Sequence, residues 1–297
     1  MSDCITCISA SPAADMYAYR NCNAESASKI ASMHPSTDSI NACAARTVTL
    51  VTLVINLDRA TERLSYVLPN ISALCIPYEV VSAIDGKELS QETVESIVDI
   101  ESYVKFFKML PEPGTIGCSL SHEKALKRFL ESDNEFAVIF EDDVSFDPAQ
   151  LSEIIKELME KKHLWDIVSF ELNHHGHPMK IAQLSHEKSL VFYLTNVKHA
   201  GAYMINRDTA CKLLKYFYPI KMPFDHYFTR SWELGIKFCG VEPRIVEQKF
   251  GNSQIKVSES KKIRSARILA HNFCYNVSTS IKQTAYNLFC YLSHRWF

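Results

Sequence analysis

The chain has 297 residues, of which 47% are hydrophobic and 22% charged, and its formal net charge is −2. This balance describes a globular protein able to bury one large α/β domain with extensions or two small ones, and no nucleic-acid partner is expected because no basic excess exists to release counterions from phosphate. No apolar run approaches the roughly 20 residues that span a bilayer, and the longest, residues 48–57, is interrupted by Thr49 and Thr52.

Residues 1–46 are rich in Ala, Ser, Asn and Cys without a sustained helical or strand period, which predicts a disordered leader. Cys4 and Cys7 form a C-x-x-C, and Cys22 and Cys43 could complete a four-thiolate zinc set. Irregular spacing and the lack of a second C-x-x-C argue against that site. The ten cysteines are scattered, and the N-terminus has no basic region followed by an apolar core. Reduced thiols and a cytoplasmic location are the expectation.

The main domain is expected over residues 47–255. Residues 48–57 read as a buried strand, and a helix opens after it, capped by Asp58 or Thr61. Arg59 and Arg63 then sit near a helix N-terminus, where they oppose the dipole but attract phosphate together with the free N–H groups. A solvated surface pair explains them equally well. Residues 78–82 form a second strand, stopped at Ala83-Ile84-Asp85-Gly86, a turn with glycine at positive φ. Residues 87–110 look helical, and Pro111 to Gly114 break the chain. From Ile116 the apolar positions Leu120, Leu126 and Phe129 predict a helix that starts tightly at glycine. Gly117 permits close backbone approach, and Ser121 and His122 can face a crevice, although a structural histidine fits the same position.

Residues 137–140, Ala-Val-Ile-Phe, have the pattern of a strand covered on both faces, and Glu141, Asp142 and Asp143 follow directly. Ligands of open α/β sheets bind beyond the carboxyl ends of the strands, so this strand delivers negative charge to the crevice. Adjacent acids raise one another's pKa unless a cation neutralises them, and hard oxygen donors suit Mg²⁺ or Mn²⁺. By itself the triplet also suits an ordinary acidic turn.

A helix is expected over residues 151–162 and a strand over 165–170, leading to Glu171 and a loop with His174, His175 and His177. That loop reads as a polar connection rather than a metal site. Residues 191–195 and 201–205 are expected to pair as strands, with a helix over 208–217. Asp225 follows among Phe224, His226, Tyr227 and Phe228, as a raised-pKa base or a helix cap. Residues 256–297 form a basic, aromatic helical tail: Lys256, Lys261, Lys262, Arg264, Arg267, Lys282 and Arg295 oppose only Glu259. Such a tail suits an anionic membrane surface, and a pair of helices packed on the main domain is the competing reading.

The chain resembles the family 25 glycosyltransferases, which include bacterial lipooligosaccharide galactosyltransferases. The matching blocks are Val54-Ile55-Asn56-Leu57-Asp58-Arg59 through Arg63, Ala83-Ile84-Asp85-Gly86, Gly114 through His122, Ile139 through Val144, Trp165-Asp166-Ile167-Val168, Ala202-Tyr203 and Pro223-Phe224-Asp225. The resemblance implies a GT-A fold, a Rossmann-like α/β domain that binds a nucleotide sugar, with the acidic triplet as its D-x-D equivalent. It implies Glu141 and Asp143 as ligands of a divalent metal. It also implies Asn56, Asp58, Arg59, Arg63, Asp85, Gly117, Ser121, His122 and Asp142 as the nucleotide-sugar pocket. UDP-galactose is the expected donor, transferred with inversion to a terminal sugar of a lipid-linked saccharide, with contact to the anionic inner membrane. Asp225, with Glu171 as substitute, is the expected base. A glucosyltransferase of the same family and a non-catalytic nucleotide- or glycan-binding protein are the alternatives. A metal-dependent phosphohydrolase is a further rival, but no additional acids or aspartyl nucleophile are arranged for it.

Overall fold

The computed structural model describes residues 49–172, 176–249 and 265–296, with side chains through Ser293. The leader with its cysteines, His174, His175, and Lys256, Lys261, Lys262 and Arg264 lie outside the described residues.

The strands are β1 (Leu50–Asn56), β2 (Tyr78–Ser82), β3 (Phe136–Glu141), β4 (Val144–Phe146), β5 (Ile167–Ser169), β6 (Pro178–Gln183), β7 (Ser189–Tyr193), β8 (Ala202–Asn206), β9 (Phe238–Glu242) and β10 (Val246–Gln248). Eight form one mixed sheet in the order β2-β1-β3-β8-β5-β9-β7-β6, while β4 and β10 make a separate antiparallel pair. The helices are α1 (Thr61–Ala73), α2 (Gln91–Ile97), α3 (Ile100–Phe107), α4 (Pro113–Glu131), α5 (Pro148–Glu160), α6 (Arg207–Lys215), α7 (Phe224–Tyr227), α8 (Ser231–Leu234) and α9 (Ala266–Trp296).

Strand period two divides the core between the sheet's faces. Leu53 and Ile55 of β1, Ile139 of β3 and Tyr203 of β8 pack with Leu126 and Phe129 of α4 and Leu213 of α6. Val54, Val138, Phe140 and Met204 point the other way, onto Val67 and Ile71 of α1 and Leu151, Ile154 and Leu158 of α5. β3 is therefore apolar on both faces from Phe136 to Phe140, as its sequence predicts.

Topology gathers the chemistry at one edge. β1 is parallel to β2 and β3, with Ile55 level with Glu141. β8 runs antiparallel to both β3 and β5. The carboxyl ends of β1, β3 and β5 and the amino end of β8 consequently share one edge, which receives Asn56, the acidic triplet, Glu171 and the residues before Ala202.

Several expectations are corrected. The strands near 191–195 and 201–205 do not pair: β7 lies between β9 and β6, and β8 between β3 and β5. Ala202 to Ile205 are all buried, and only a central slot covers both faces of such a strand. Helix α1 begins after Ala60 without a side-chain cap, so neither Asp58 nor Thr61 caps it. Gly86 opens a short 3₁₀ turn and is not at positive φ; among the described glycines Gly235 holds that conformation. Helix α4 starts at Pro113 rather than at a glycine, with proline's fixed φ suited to a first turn. The tail from 266 is one helix, not two.

Candidate active site

Asp142 and Asp143 are buried in the loop between β3 and β4, and Glu141 closes β3. From α1, Arg63 Nη1 donates to Asp142 Oδ1 at 2.9 Å and lies 3.6 Å from Asp143 Oδ2. One guanidinium thus faces two of the three acids. Asp143 Oδ1 and Glu171 Oε2 are buried without a hydrogen-bond partner. Burial, together with the charges of Glu141, Asp142 and Glu171, pushes the Asp143 carboxyl up to about 7 against the pull of Arg63. Burial also raises Asp142, with Arg63 opposing. For Glu141 burial acts upward, yet its bonds to His122 and Cys118 hold it below the usual range.

The first turns of α4 form the adjoining wall. A Cβ on Gly117 would stand 2.5 Å from Gly86 N and 2.6 Å from Ile84 O, so bare glycine lets the helix press onto the strand-to-turn backbone. Ser121 Oγ accepts from Ile84 N–H at 2.8 Å and donates to Gly117 O at 2.6 Å, fixing that contact. One turn along, His122 stacks on Phe224 at 4.3 Å between ring centroids. Its Nδ1 lies 3.1 Å from the Tyr203 hydroxyl and its Nε2 3.2 Å from Glu141 Oε1. His122 is therefore both a structural histidine and the group that aims Glu141.

The other expected residues spread along the rim. Arg59 pairs with Asp85, which also caps the 3₁₀ turn through Lys87 N–H. Asp85 is held low by that backbone bond and by Arg59. Asn56 is buried, donates to Leu57 O at 2.8 Å and leaves its Oδ1 without a partner. Asp58 lies in an exposed turn. Asp225, on α7, is half-buried, and its Oδ2 accepts from His199 N–H at 3.4 Å.

His199 is absent from the sequence-based set. Its backbone has φ 78°, a strained conformation for a residue with a Cβ. Its Nδ1 is 3.3 Å from Glu171 Oε1, and the side chain is 33% exposed while that of Glu171 is 2% exposed. The bond to Glu171, with the charges of Asp225 and Glu141, raises its pKa. Gly201 makes room: a Cβ there would lie 3.1 Å from Glu171 Oε2. The only sequence signal was a histidine shortly before a strand, and it becomes meaningful once β8 is known to run antiparallel between β3 and β5.

Two donor sets can be tested for a metal. Cys118, His122 and Glu141 offer atoms within 4.8 Å of one another. Burial and Glu141 push the Cys118 thiol well up, and His122 is committed to Tyr203 and Phe224, so this trio works as a support for Glu141. The acidic edge offers one buried, unpartnered oxygen, Asp143 Oδ1, beside Arg63, and a carboxylate oxygen of this kind suits a hard divalent cation.

The family profile described as "Glycosyltransferase family 25 (LPS biosynthesis protein)" matches residues 50–228. An Anopheles gambiae glycosyltransferase 25 family member is 31% identical over 122 residues, covering 39% of this chain and 21% of the relative. A Drosophila pseudoobscura pseudoobscura member is 25% identical over 210 residues, covering 62% and 31%. Mus musculus procollagen galactosyltransferase 2 is 28% identical over 121 residues, covering 39% and 19%. The chain thus aligns with about a fifth to a third of the length of these relatives. Among solved structures, a glycosyltransferase involved in glycosylation of the major capsid of PBCV-1 has a TM-score of 0.38 at 11% identity, covering 69% of this chain and 94% of that one. S. aureus TarS in complex with UDP-GlcNAc has a TM-score of 0.37 at 12% identity, covering 69% and 60%. The profile match runs from the first residue of β1 past Asp225 and so contains every side chain placed at this edge. By that match the chain, with its mixed α/β sheet, belongs to glycosyltransferase family 25.

Proposed function

We propose that the protein is a metal-dependent inverting hexosyltransferase that carries galactose from UDP-galactose to a terminal sugar of a lipid-linked lipooligosaccharide or lipopolysaccharide acceptor. The observation that carries the reading is the crowded carboxylate edge, where Asp143 Oδ1 is buried without a partner beside Arg63. Glu141 and Asp143 would hold Mn²⁺ or Mg²⁺, which when bound supplies Lewis-acid neutralisation of the departing diphosphate.

The chain's own groups account for the remaining requirements. Arg63 faces both Asp142 and Asp143, offsets their mutual repulsion and would add positive charge where phosphate oxygens lie. Asp142 would meet ribose or sugar hydroxyls, and Asn56 Oδ1, buried and unpartnered, would be an acceptor at the end of β1. Arg59 and Asp85 close the rim as a pair. Two candidates can take the acceptor hydroxyl's proton, Asp225 and the Glu171–His199 pair, in which the carboxylate is buried and the imidazole is the exposed member.

The galactose assignment is supported by relatives named procollagen galactosyltransferases, and the acceptor class by the family's description as an LPS biosynthesis protein. With such an acceptor goes the proposal of a cytoplasmic enzyme in peripheral contact with the anionic inner membrane. The test is release of UDP from a panel of UDP-sugars with Mn²⁺, Mg²⁺ or EDTA. Metal-dependent hydrolysis of UDP-galactose, lost in Asp143→Asn, supports the reading. Preference for UDP-glucose would make the protein a glucosyltransferase. Metal-dependent UDP binding without turnover of any donor, with or without a saccharide or procollagen acceptor, would make it a binding protein.

A further inference from the structure

Helix α9 is inverted with respect to an ordinary surface helix, which turns its apolar stripe to the core. Its buried positions are polar: Asn272, Thr279, Gln283 and Asn287 are at most 8% exposed. They and their neighbours bind the helix to the domain through hydrogen bonds. Asn287 Nδ2 donates to Tyr193 O at 2.6 Å, and its Oδ1 accepts from Ser231 Oγ at 2.8 Å. Thr284 donates to Leu194 O at 3.0 Å, Asn272 donates to Phe106 O, and Arg230 donates to the Tyr275 hydroxyl at 2.7 Å.

The outward side carries an apolar stripe, with exposed Asn276, Ser278 and Ser280 beside it. Leu269, Phe273, Val277 and Ile281 succeed one another at four-residue spacing, with Phe273 70% and Ile281 64% exposed. Leu288, Phe289 and Leu292 continue the exposed surface, Phe289 at 68%. A shallow groove runs along the first four of these side chains and has Lys108, at the end of α3, on its rim. Exposed Arg267 and Lys282 flank the stripe, and no Asp or Glu occurs after Glu259, while Lys256, Lys261, Lys262 and Arg264 lead into the helix.

We infer that the outward face of α9 is a membrane-docking surface that lies in the interface of a bilayer rich in anionic lipid. An apolar stripe with basic flanks inserts among acyl chains while its cations meet headgroup phosphates. The helix lies on the bilayer, because no helix among the described residues is long and apolar enough to cross it. A second copy is a poorer occupant: self-pairing about a two-fold axis would set this acid-free segment against itself, basic flank to basic flank. The inference deepens the proposed lipid-linked acceptor, since docking would hold the domain at the surface that carries it.

The test uses the full chain and needs no catalysis. Flotation with vesicles of phosphatidylcholine alone and with added phosphatidylglycerol is compared for wild type, for Phe273→Ser/Ile281→Ser/Phe289→Ser, and for Arg267→Glu/Lys282→Glu. All of the substituted side chains are exposed, so unchanged thermal unfolding verifies the fold. The expected result is binding to anionic vesicles, reduced on the order of tenfold or more in the apolar variant and made weak and salt-insensitive in the charge variant. Hydrolysis of a soluble UDP-sugar should be the same in all three. Vesicle binding without donor hydrolysis would still support the docking face while counting against the transferase reading. Equal flotation of wild type and apolar variant, or none by wild type, overturns the inference. So does a concentration-dependent dimer by sedimentation that the apolar variant abolishes.

Discussion

Asp143 concentrates the electrostatic cost of the site. Its carboxyl is pushed up to about 7, first by burial and then by Glu141, Asp142 and Glu171, so in the metal-free protein the folded state holds its proton more tightly than the unfolded chain does. Below the ordinary carboxylate pKa of about 3.9 both states are protonated and nothing is lost. Between there and about 7 the unfolded chain ionises while the folded one does not, and stability falls as pH rises. Roughly three pH units at ~1.4 kcal/mol each set an upper bound of about 4 kcal/mol. Asp143→Asn should therefore be close to wild type in stability near pH 4 and more stable above pH 7 without metal, an increment that unfolding curves across pH will measure. Mn²⁺ should raise the Tm of the wild type above pH 7 and leave that of the variant unmoved, because ligand binding to the folded state alone stabilises it. The variant that gains metal-free stability should be the one that loses UDP release.

Helix α4 shows how an element can be positioned by what it lacks. A Cβ on Gly86 would fall 1.7 Å from Pro113 O, and one on Gly117 2.5 Å from Gly86 N, both backbone atoms that cannot turn aside. Gly117→Ala should cost about 2–4 kcal/mol in urea unfolding and lower donor hydrolysis, since displacing this turn moves His122 away from Glu141. Gly235→Ala is the contrasting case. It has φ +60° with no atom within 4 Å of a built Cβ, so it should cost only about 1 kcal/mol and leave hydrolysis intact. Ser121→Ala removes the acceptor of Ile84 N–H and should cost about 1–2 kcal/mol by the same measurement.

Over the whole molecule, α9 is part of the fold rather than an appendage. It satisfies the Tyr193, Leu194 and Phe106 carbonyls and stacks Tyr275 on Phe106 at 4.0 Å. Asn287→Ala removes the bonds to the Tyr193 carbonyl and the Ser231 hydroxyl and should destabilise by about 1–3 kcal/mol, read from the urea midpoint. Removing the helix altogether would confound membrane binding with unfolding. Exposed single positions along its outer stripe are the sounder probes of what that face contacts.

Local patterns made much of this legible. The run of residues 137–140 and the acids after it specified a doubly covered strand ending in charge, and β3 lies in the middle of the sheet with Glu141 at its carboxyl end. The apolar spacing of Leu120, Leu126 and Phe129 specified the buried face of α4, and Gly117 its close approach. Both depend on periodicity and on the absence of a Cβ, which a sequence displays directly. Strand pairing depends on contacts between distant residues, and apolar runs carry no label for their partner, so β7 and β8 were wrongly paired and the Glu171–His199 contact was invisible. The same limit applied to α9. Its composition announced basic and aromatic residues, but only the docked helix shows polar side chains turned inward and Phe273, Ile281 and Phe289 turned out, because Asn287 and Thr284 hydrogen-bond to the Tyr193 and Leu194 carbonyls of the domain.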